Sequence, residues 1–430
     1  MGLAERISSF DLPGGARMAV LRNPHAPTLS IIAALSAGLP GSEAASPIVP
    51  SMVASMLDRG AGEFNRMQLA REFEDHGLSL DVIHSSSSPA LVILIVQGLA
   101  EEAERMLRLL TLVMREPRFD PEELGKLRQH ILGILRWERS DPGRRASGAF
   151  SRLLYPEGHP HHRREISSRE ADLERLGSED LRKFHRAVYG SGSLRVAVVG
   201  DVEEERIAGL FRAHLDGRQA GRLKNPSWPP PRKTPERESR IEIPDRPNLD
   251  IIMGHASSLL RSDGDYIPAQ LANACLGQST LTSRLGLAVR DEAGLTYGIT
   301  SSFQALVDVP GPWQINMGVS AENLEAALSL SRDTMRNFLS EGPSEAEVDD
   351  ERHAWAGSFR VALATNSGVA RQLLRQLVGE QPMEDLDLLP EQILSCSRET
   401  CLEAMRRHLH PDEMSVAVAG SMAPKTPEQG

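Results

Sequence analysis

Aromatic side chains are scarce in this chain, 4% of 430 residues, which leaves little material for stacking platforms that take bases or sugars. Positive charge is also in short supply: 48 Lys and Arg against 59 Asp and Glu give a net charge of −11. Non-specific nucleic-acid binding needs a basic footprint, so that class is set aside. The sign allows only a weak preference for basic peptides or basic partners. Cysteine is nearly absent. Cys275, Cys396 and Cys401 form an odd set with no framework of spacings, the usage of reduced thiols, so a cytoplasmic home is expected. Long apolar runs are missing as well: a stretch such as 91–96 is far too short to cross a bilayer. The opening MGLAERISSFDLPGG holds no apolar segment of the signal-peptide kind, and Arg6 breaks the myristoylation pattern. What is present is the composition of a globular protein, 25% charged and 40% apolar. Cores rarely grow past about 250–300 residues, so two or more domains are expected.

Taken in order, residues 17–21 and 29–37 read as strands, and 48–58 as a helix with apolar residues at helical spacing. Asn65 and Gln68 have the spacing of a capping box. Residues 78–84 and 90–97 alternate like a hairpin around a turn at 85–89. Helices follow at 100–114 and 121–138, the second with Asp120 as cap, Pro121 in the first turn and Glu123 reaching back. A helix at 178–189 precedes a buried strand at 194–199. The segment 217–236, GRQAGRLKNPSWPPPRKTPE, is Pro-rich and poor in apolar residues, a semi-rigid linker. Beyond it come strands at 240–243, 249–254 and 312–319 and helices at 266–276, 324–340 and 344–363. The ending MSVAVAG (414–420), after a helix at 399–409, repeats LRVAVVG (194–200). Matched endings point to an internal duplication. The expected domains are 1–216, a linker at 217–236, and 237–430. The fold class is α+β: two homologous halves, each a mainly antiparallel sheet covered by helices.

The stretch 276–301, LGQSTLTSRLGLAVRDEAGLTYGITS, concentrates candidate chemistry. It reads as a polar loop, a helix at 282–291 stopped by Gly294, and a strand opening at Leu295. Arg290 closes the helix and Tyr297 opens the strand, so two groups able to bind an anionic or carbonyl oxygen sit at one corner. The plain alternative is that Arg290 pairs with Asp291 or Glu292 at a solvated helix end.

Four stretches in order carry a resemblance: SMLDRGAGEFN, LLYPEGHP, DLRKFHRAVYGSGSLRVAVVGDV and TSRLGLAVRDEAGLTYG. Together they resemble the pitrilysin/insulinase family of zinc peptidases, the inverted H-x-x-E-H group, in the layout of its small bacterial members similar to mitochondrial processing peptidase. The resemblance spans about residues 10 to 421. It implies a metalloenzyme (LuxS/peptidase-like) fold whose two halves face each other as a clamshell. It also implies that Arg290 and Tyr297 face an active site, with Gln278, Ser279, Thr280 and Ser283 of the preceding loop guiding an extended peptide.

The departure from the family is equally specific. Where active members carry His-x-x-Glu-His, this chain has Ser51, Ala54 and Ser55 in SMVAS. Serine is a poor zinc ligand and alanine takes no proton, so neither metal binding nor water activation is expected here. The further glutamate of the family falls near Gly133 or Ile134; an offset of four reaches His130 or Glu138, and one ligand makes no site. The run His159-Pro160-His161-His162, with His76 and His84 further off, is the rival metal candidate, but an internal proline and Arg163-Arg164 beside it favour a loop. Ser51 and Ser55 lack the relay that would activate a serine. Cys275 is read as a small core residue. The expectation is therefore a non-catalytic subunit, inactive alone, that supplies Arg290 and Tyr297 to an active site whose zinc a homologous H-x-x-E-H partner holds. No cofactor is assigned to this chain, and neither nucleic acid nor membrane is an expected partner. The alternative is an inert scaffold of the same fold.

Overall fold

The computed structural model describes residues 2–36, 46–84, 91–215, 228–232, 237–304 and 309–422. The turn expected at 85–89 and most of the proline-rich segment 217–236 lie outside these residues.

Two compact units form, each from three pieces of chain. The first takes Met1–Ile131, Ala171–Ser227 and Ser358–Pro390, and the second Leu132–Glu170, Trp228–Gly357 and Glu391–Gly430. The halves 1–216 and 237–430 describe order along the chain, whereas the units cut it by packing.

In the first unit lie β1 (Ile7–Asp11), β2 (Arg17–Arg22), β3 (Thr28–Ser36), the two-residue ribbon β4 (Gly60–Ala61) and β5 (Phe64–Asn65), β6 (Ser79–His84), β7 (Leu91–Leu99) and β8 (Arg195–Gly200). Its main sheet runs β1-β2-β8-β3-β7-β6. Pairing is antiparallel except between β2 and β8. The second unit holds β9 (Glu238–Glu242), β10 (Asn248–Ala256), β11 (Thr296–Phe303), β12 (Pro312–Ser320) and β13 (Ser415–Gly420), ordered β11-β12-β10-β13-β9, with β9 and β13 the parallel pair. Both sheets thus centre on a strand, β8 or β13, between a parallel and an antiparallel neighbour. This is the duplication that the LRVAVVG and MSVAVAG endings announce, and the α+β class with helix-covered, mainly antiparallel sheets is borne out.

Each sheet is covered by a helix drawn from the other half of the sequence. Over β3, β7 and β8 lies the helix Asn366–Val378, whose Val369, Ala370, Leu373, Leu374 and Leu377 pack against Ile32, Ala34, Ile95 and Val199. Over β10 and β13 lies the helix Pro142–Leu154, whose Ala146, Ala149, Phe150 and Leu154 pack against Ile252, Ala417 and Ala419. The spacing of these side chains is one apolar helical stripe in each case. Burying each of the larger of these side chains is worth about 1.5–3 kcal/mol, so each covering helix helps to hold its sheet. Neither helix is among the elements expected from the sequence.

Local signals are mostly obeyed. The Asn65 side chain accepts the Gln68 N–H at 3.0 Å while the Gln68 side chain accepts the Asn65 N–H at 2.9 Å. One expectation fails: the helix read at 48–58 is regular only over Val49–Ala54. Met56 and Leu57 then donate to carbonyls three residues back, the tightened bonding of a helix end. Their side chains stay fully buried, which is why apolar periodicity overran the true end.

Candidate functional site

The site expected around Arg290 and Tyr297 belongs wholly to the second unit. The helix Tyr266–Asn273 widens into a π-type turn at Ala274–Gln278, and a second π-type segment spans Gly286–Glu292. Such wide turns occur often at functional sites. A side chain at position 286 would collide with the Thr280 carbonyl, so glycine is what lets the second segment seat on the loop. Gly294 adopts φ 63°, the left-handed stop read from the sequence.

The loop residues are largely occupied in building the loop. Ser279 Oγ accepts the N–H groups of Leu281 and Thr282, both at 3.2 Å. Thr280 Oγ1 donates to the Ile299 carbonyl at 3.1 Å. Ser283 Oγ donates to the Ser279 carbonyl and accepts the Gly286 N–H at 3.3 Å. Gln278 is exposed.

Arg290 and Tyr297 are brought together. Arg290 Nε donates to the Tyr297 carbonyl at 3.1 Å, and its Nη1 pairs with the Asp291 carboxylate. The Arg290 side chain is 34% exposed. The pairing register of β11 with β12 slips between Thr296 and Ile299, a bulge that re-aims the intervening residue. Thr296 closes it: its Oγ1 donates within reach of the Gly318 carbonyl at 2.6 Å and the Gly298 carbonyl at 2.9 Å and accepts the Gly298 N–H at 3.1 Å. Tyr297 is therefore 94% exposed, with Leu281 and Leu287 as further exposed apolar residues of the same segment. Behind it, Asn273 on the preceding helix ties the sheet down. Its Oδ1 accepts from Ser301 Oγ at 2.9 Å and Trp313 Nε1 at 2.8 Å, and its Nδ2 donates to the Ser301 carbonyl at 3.0 Å, all buried. Arg284 forks onto Glu347 at 2.5 and 2.8 Å, anchoring the start of the segment. Thr296, Asn273 and the Arg284–Glu347 pair were not read from the sequence. Gly298 after Tyr297 was the one visible hint of a bulge.

The zinc that the family resemblance implies does not fit the residues at its position. Ser51 Oγ donates to the Ile48 carbonyl at 2.9 Å, Ala54 is a buried methyl, and the Ser55 carbonyl accepts from Arg59 Nε at 3.1 Å. Arg59 in turn faces Glu123 at 3.5 Å, and Glu123 also pairs with Arg66 at 3.3 Å and Lys126 at 2.8 Å. Its hydrogen bond from Lys126 holds the Glu123 carboxyl below the usual range. A divalent cation beside Ser55 would meet two hydroxyls and a Glu123 carboxylate already shared among Arg59, Arg66 and Lys126, not the set of imidazole and carboxylate ligands that zinc takes.

Of the other candidate positions, Glu138 and the 159–162 histidines are engaged in pairing or packing. Gly133, Ile134 and His130 lie exposed on the helix Pro121–Arg139. Glu138 is 2% exposed and binds Arg163 at 3.0 Å and Arg169 at 2.8 Å. His159 stacks on Tyr155 with centroids 4.3 Å apart and accepts the His161 N–H at 3.1 Å, while His162 Nδ1 lies 2.9 Å from the Tyr155 carbonyl. Burial is the main cause lowering both His159 and His161 to about 4, so they are neutral packing groups near pH 7. His76 and His84 belong to the other unit. Among the described residues no group of three or more His, Cys, Asp or Glu is placed to hold a metal ion. None of their helices is long and apolar enough to cross a membrane.

Comparison with known proteins bears on the family. A sequence model of the peptidase M16 inactive domain matches residues 175–354. An uncharacterized zinc protease of Streptomyces coelicolor is 24% identical over 237 residues, 53% of this chain and 50% of that protein, so the match spans half of the relative's length. The crystal structure of a peptidase M16 inactive domain from Pseudomonas fluorescens superposes with a TM-score of 0.87 at 23% identity, covering 98% of this chain and 99% of that one. The periplasmic protease PqqL of Escherichia coli superposes with a TM-score of 0.82 at 16% identity, covering 98% of this chain and 46% of PqqL. Residues 175–354 thus match the peptidase M16 inactive domain, and the chain has the fold of the solved M16 inactive-domain structure.

Proposed function

We propose that this protein is the non-catalytic, substrate-binding subunit of a heteromeric zinc peptidase. A homologous partner with an intact H-x-x-E-H holds the zinc, and Arg290 and Tyr297 complete the site. Tyr297 donates a hydrogen bond to the oxyanion that forms on the cleaved peptide, and Arg290 holds the substrate backbone. The observation that carries the reading is that two donor side chains meet at one residue: Arg290 Nε donates to the Tyr297 carbonyl, while Tyr297 itself is 94% exposed. A surface phenol on a reinforced bulge has no packing task, so its display suits an oxygen brought by another molecule. Three free cysteines suit a cytoplasmic setting.

The experiment mixes the purified chain with its H-x-x-E-H partner and follows peptide cleavage. Loss of one oxyanion donor lowers kcat by about a hundredfold or more, the effect expected of Tyr297→Phe. Arg290→Ala raises KM. Mixtures of either variant that cleave like wild type sink the assigned roles. Alone, the chain hydrolyses nothing and carries under about 0.1 zinc, given its donor set.

One observation favours an inert scaffold instead: Nη1 of Arg290 is already neutralised by Asp291. Asp291→Ala separates the two readings. It frees the guanidinium and strengthens substrate binding in a substrate-binding subunit, and changes nothing in a scaffold.

A further inference from the structure

The first unit contains an open pocket of ≈ 500 Å³ that the peptidase reading does not use. It lies where the helix Asn366–Val378 begins over the sheet, with Thr365, Asn366 and Ser367 on one side and Ser30, Gln97 and Ser79 on the other. The last three are one row across three strands, since Ser30 pairs with Gln97 and Gln97 with Ser79. No charged residue lines it. Thr365 Oγ1 caps the Gly368 N–H at 3.0 Å, and the first helical bond goes from the Val369 N–H to the Thr365 carbonyl. The N–H groups of Asn366 and Ser367 remain as first-turn donors, at the positive end of a 13-residue helix. The Asn366 side chain is already spent on Thr28 and Asn23. Ser30 supplies the second sign of a ligand: it is 1% exposed, and its hydroxyl has no partner. A buried hydroxyl left unpaired is costly, so a ligand that pairs it is favoured.

The duplicated unit gives the pocket its chemistry. Ser30 is the third residue of β3 and pairs with Val199, just before Gly200. Asp250 is the third residue of β10 and pairs with Ala419, just before Gly420. The helix Pro142–Leu154 starts over Asp250 as Asn366–Val378 starts over Ser30. A Cβ on Gly143, in its first turn, would stand 3.8 Å from the Asp250 carboxylate. The second unit therefore places its own carboxylate under the helix start, where the first unit has a serine and a pocket. In the second unit the cap is Asp141, and burial together with that charge pushes the Asp250 carboxyl up. In the first unit the cap is the neutral Thr365, so an entering carboxylate meets no like charge.

We propose that this pocket binds a carboxylate from solution, its oxygens taken by the Ser30 hydroxyl and the first-turn N–H groups of Asn366 and Ser367. The carboxylate belongs to a small organic acid or to the C-terminus of a peptide, which present the same group.

Calorimetry on the full chain tests this with three probes: sodium acetate, tri-alanine, and tri-alanine amide. Tri-alanine binds and its amide does not. Competition by acetate identifies the carboxylate alone as the ligand, and its absence identifies a peptide C-terminus. Ser30→Asp installs the carboxylate of the second unit and weakens tri-alanine by about tenfold or more, the loss of a charge-assisted contact. Should that variant fail to melt like wild type, Ser30→Ala replaces it and weakens binding severalfold by removing one donor. Equal binding of acid and amide, no binding of any carboxylate, or unchanged affinity in the folded Ser30 variants overturns the proposal.

Discussion

Replacing Asn273 by alanine tests how the exposed tyrosine is held in place. Asn273 is 1% exposed and its three hydrogen bonds join the helix Tyr266–Asn273 to β11 and β12. The Ser301 hydroxyl can rotate to another acceptor. The Trp313 indole N–H and the Ser301 carbonyl have no such freedom and stay buried without partners. Each stranded group costs about 1–3 kcal/mol, and the void adds to it, so the loss is about 3–5 kcal/mol. That is a large share of the 5–15 kcal/mol typical of a folded domain. The assay is urea unfolding followed by tryptophan emission. All four tryptophans, Trp137, Trp228, Trp313 and Trp355, fall in the second unit, so the signal reports on that unit. Asn273→Asp adds a signature. As a carboxylate it faces the Ser301 carbonyl; protonated, it can donate to it. Its folded pKa is thus raised, the folded state binds more protons, and its deficit against wild type shrinks as the pH falls. A midpoint shift below about 1 kcal/mol for Asn273→Ala, or a pH-independent deficit for Asn273→Asp, would refute the reasoning.

Acid should weaken the second unit selectively. Burial first, and neighbouring histidines for His159 and His255, lower His159, His161 and His255 from 6.5 to about 4, so the unfolded chain binds more protons between those values and stability falls as pH drops through that window. Tryptophan-monitored urea midpoints on either side of the window check this, with His161→Asn showing a smaller fall. Thr296→Val removes the hydroxyl that closes the bulge and should cost about 1–2 kcal/mol. In wild type, tetranitromethane should nitrate Tyr297 well before the buried Tyr155 and Tyr189, and mass spectrometry should find that preference reduced in Thr296→Val. Arg284→Lys loses the two-point fork on Glu347, a partly exposed pair worth about 1 kcal/mol, and a double-mutant cycle with Glu347→Gln should recover that coupling.

The fold was legible where local chemistry decides. Asn65 and Gln68 spelled a reciprocal cap, Gly294 a left-handed stop, and the repeated endings a duplication, because each depends on residues a few positions apart. The helices Pro142–Leu154 and Asn366–Val378 were not read, although Asp141 and Thr365 both accept the third helical N–H as caps should. Their more consequential property was beyond any local pattern: an apolar stripe specifies that a face is buried, not which sheet buries it. Val369 and Leu373 meet Ile32 across more than half the chain and Val199 across more than a third of it, a choice made by shape and connectivity.

The candidate site divides along the same line. Arg290 and Tyr297 were visible because their spacing and the corner at Gly294 are local. What turns Tyr297 outward is a slip in the register between β11 and β12, and register is fixed by the partner strand. The serines and threonine of the 279–283 loop were expected to meet substrate, yet their hydroxyls also bind the loop and the strand beside it. This has a consequence for how the site survives in water. β11 is the outermost strand of its sheet, and such edges invite pairing with another chain. Here the carbonyls of Ile299 and Ser301 accept Thr280 Oγ1 and Asn273 Nδ2, and the bulge interrupts the ladder at Tyr297. The strand is thereby blunted along the residues behind the phenol. Tyr297 can stand 94% exposed as a single contact point without offering the flat edge on which chains aggregate.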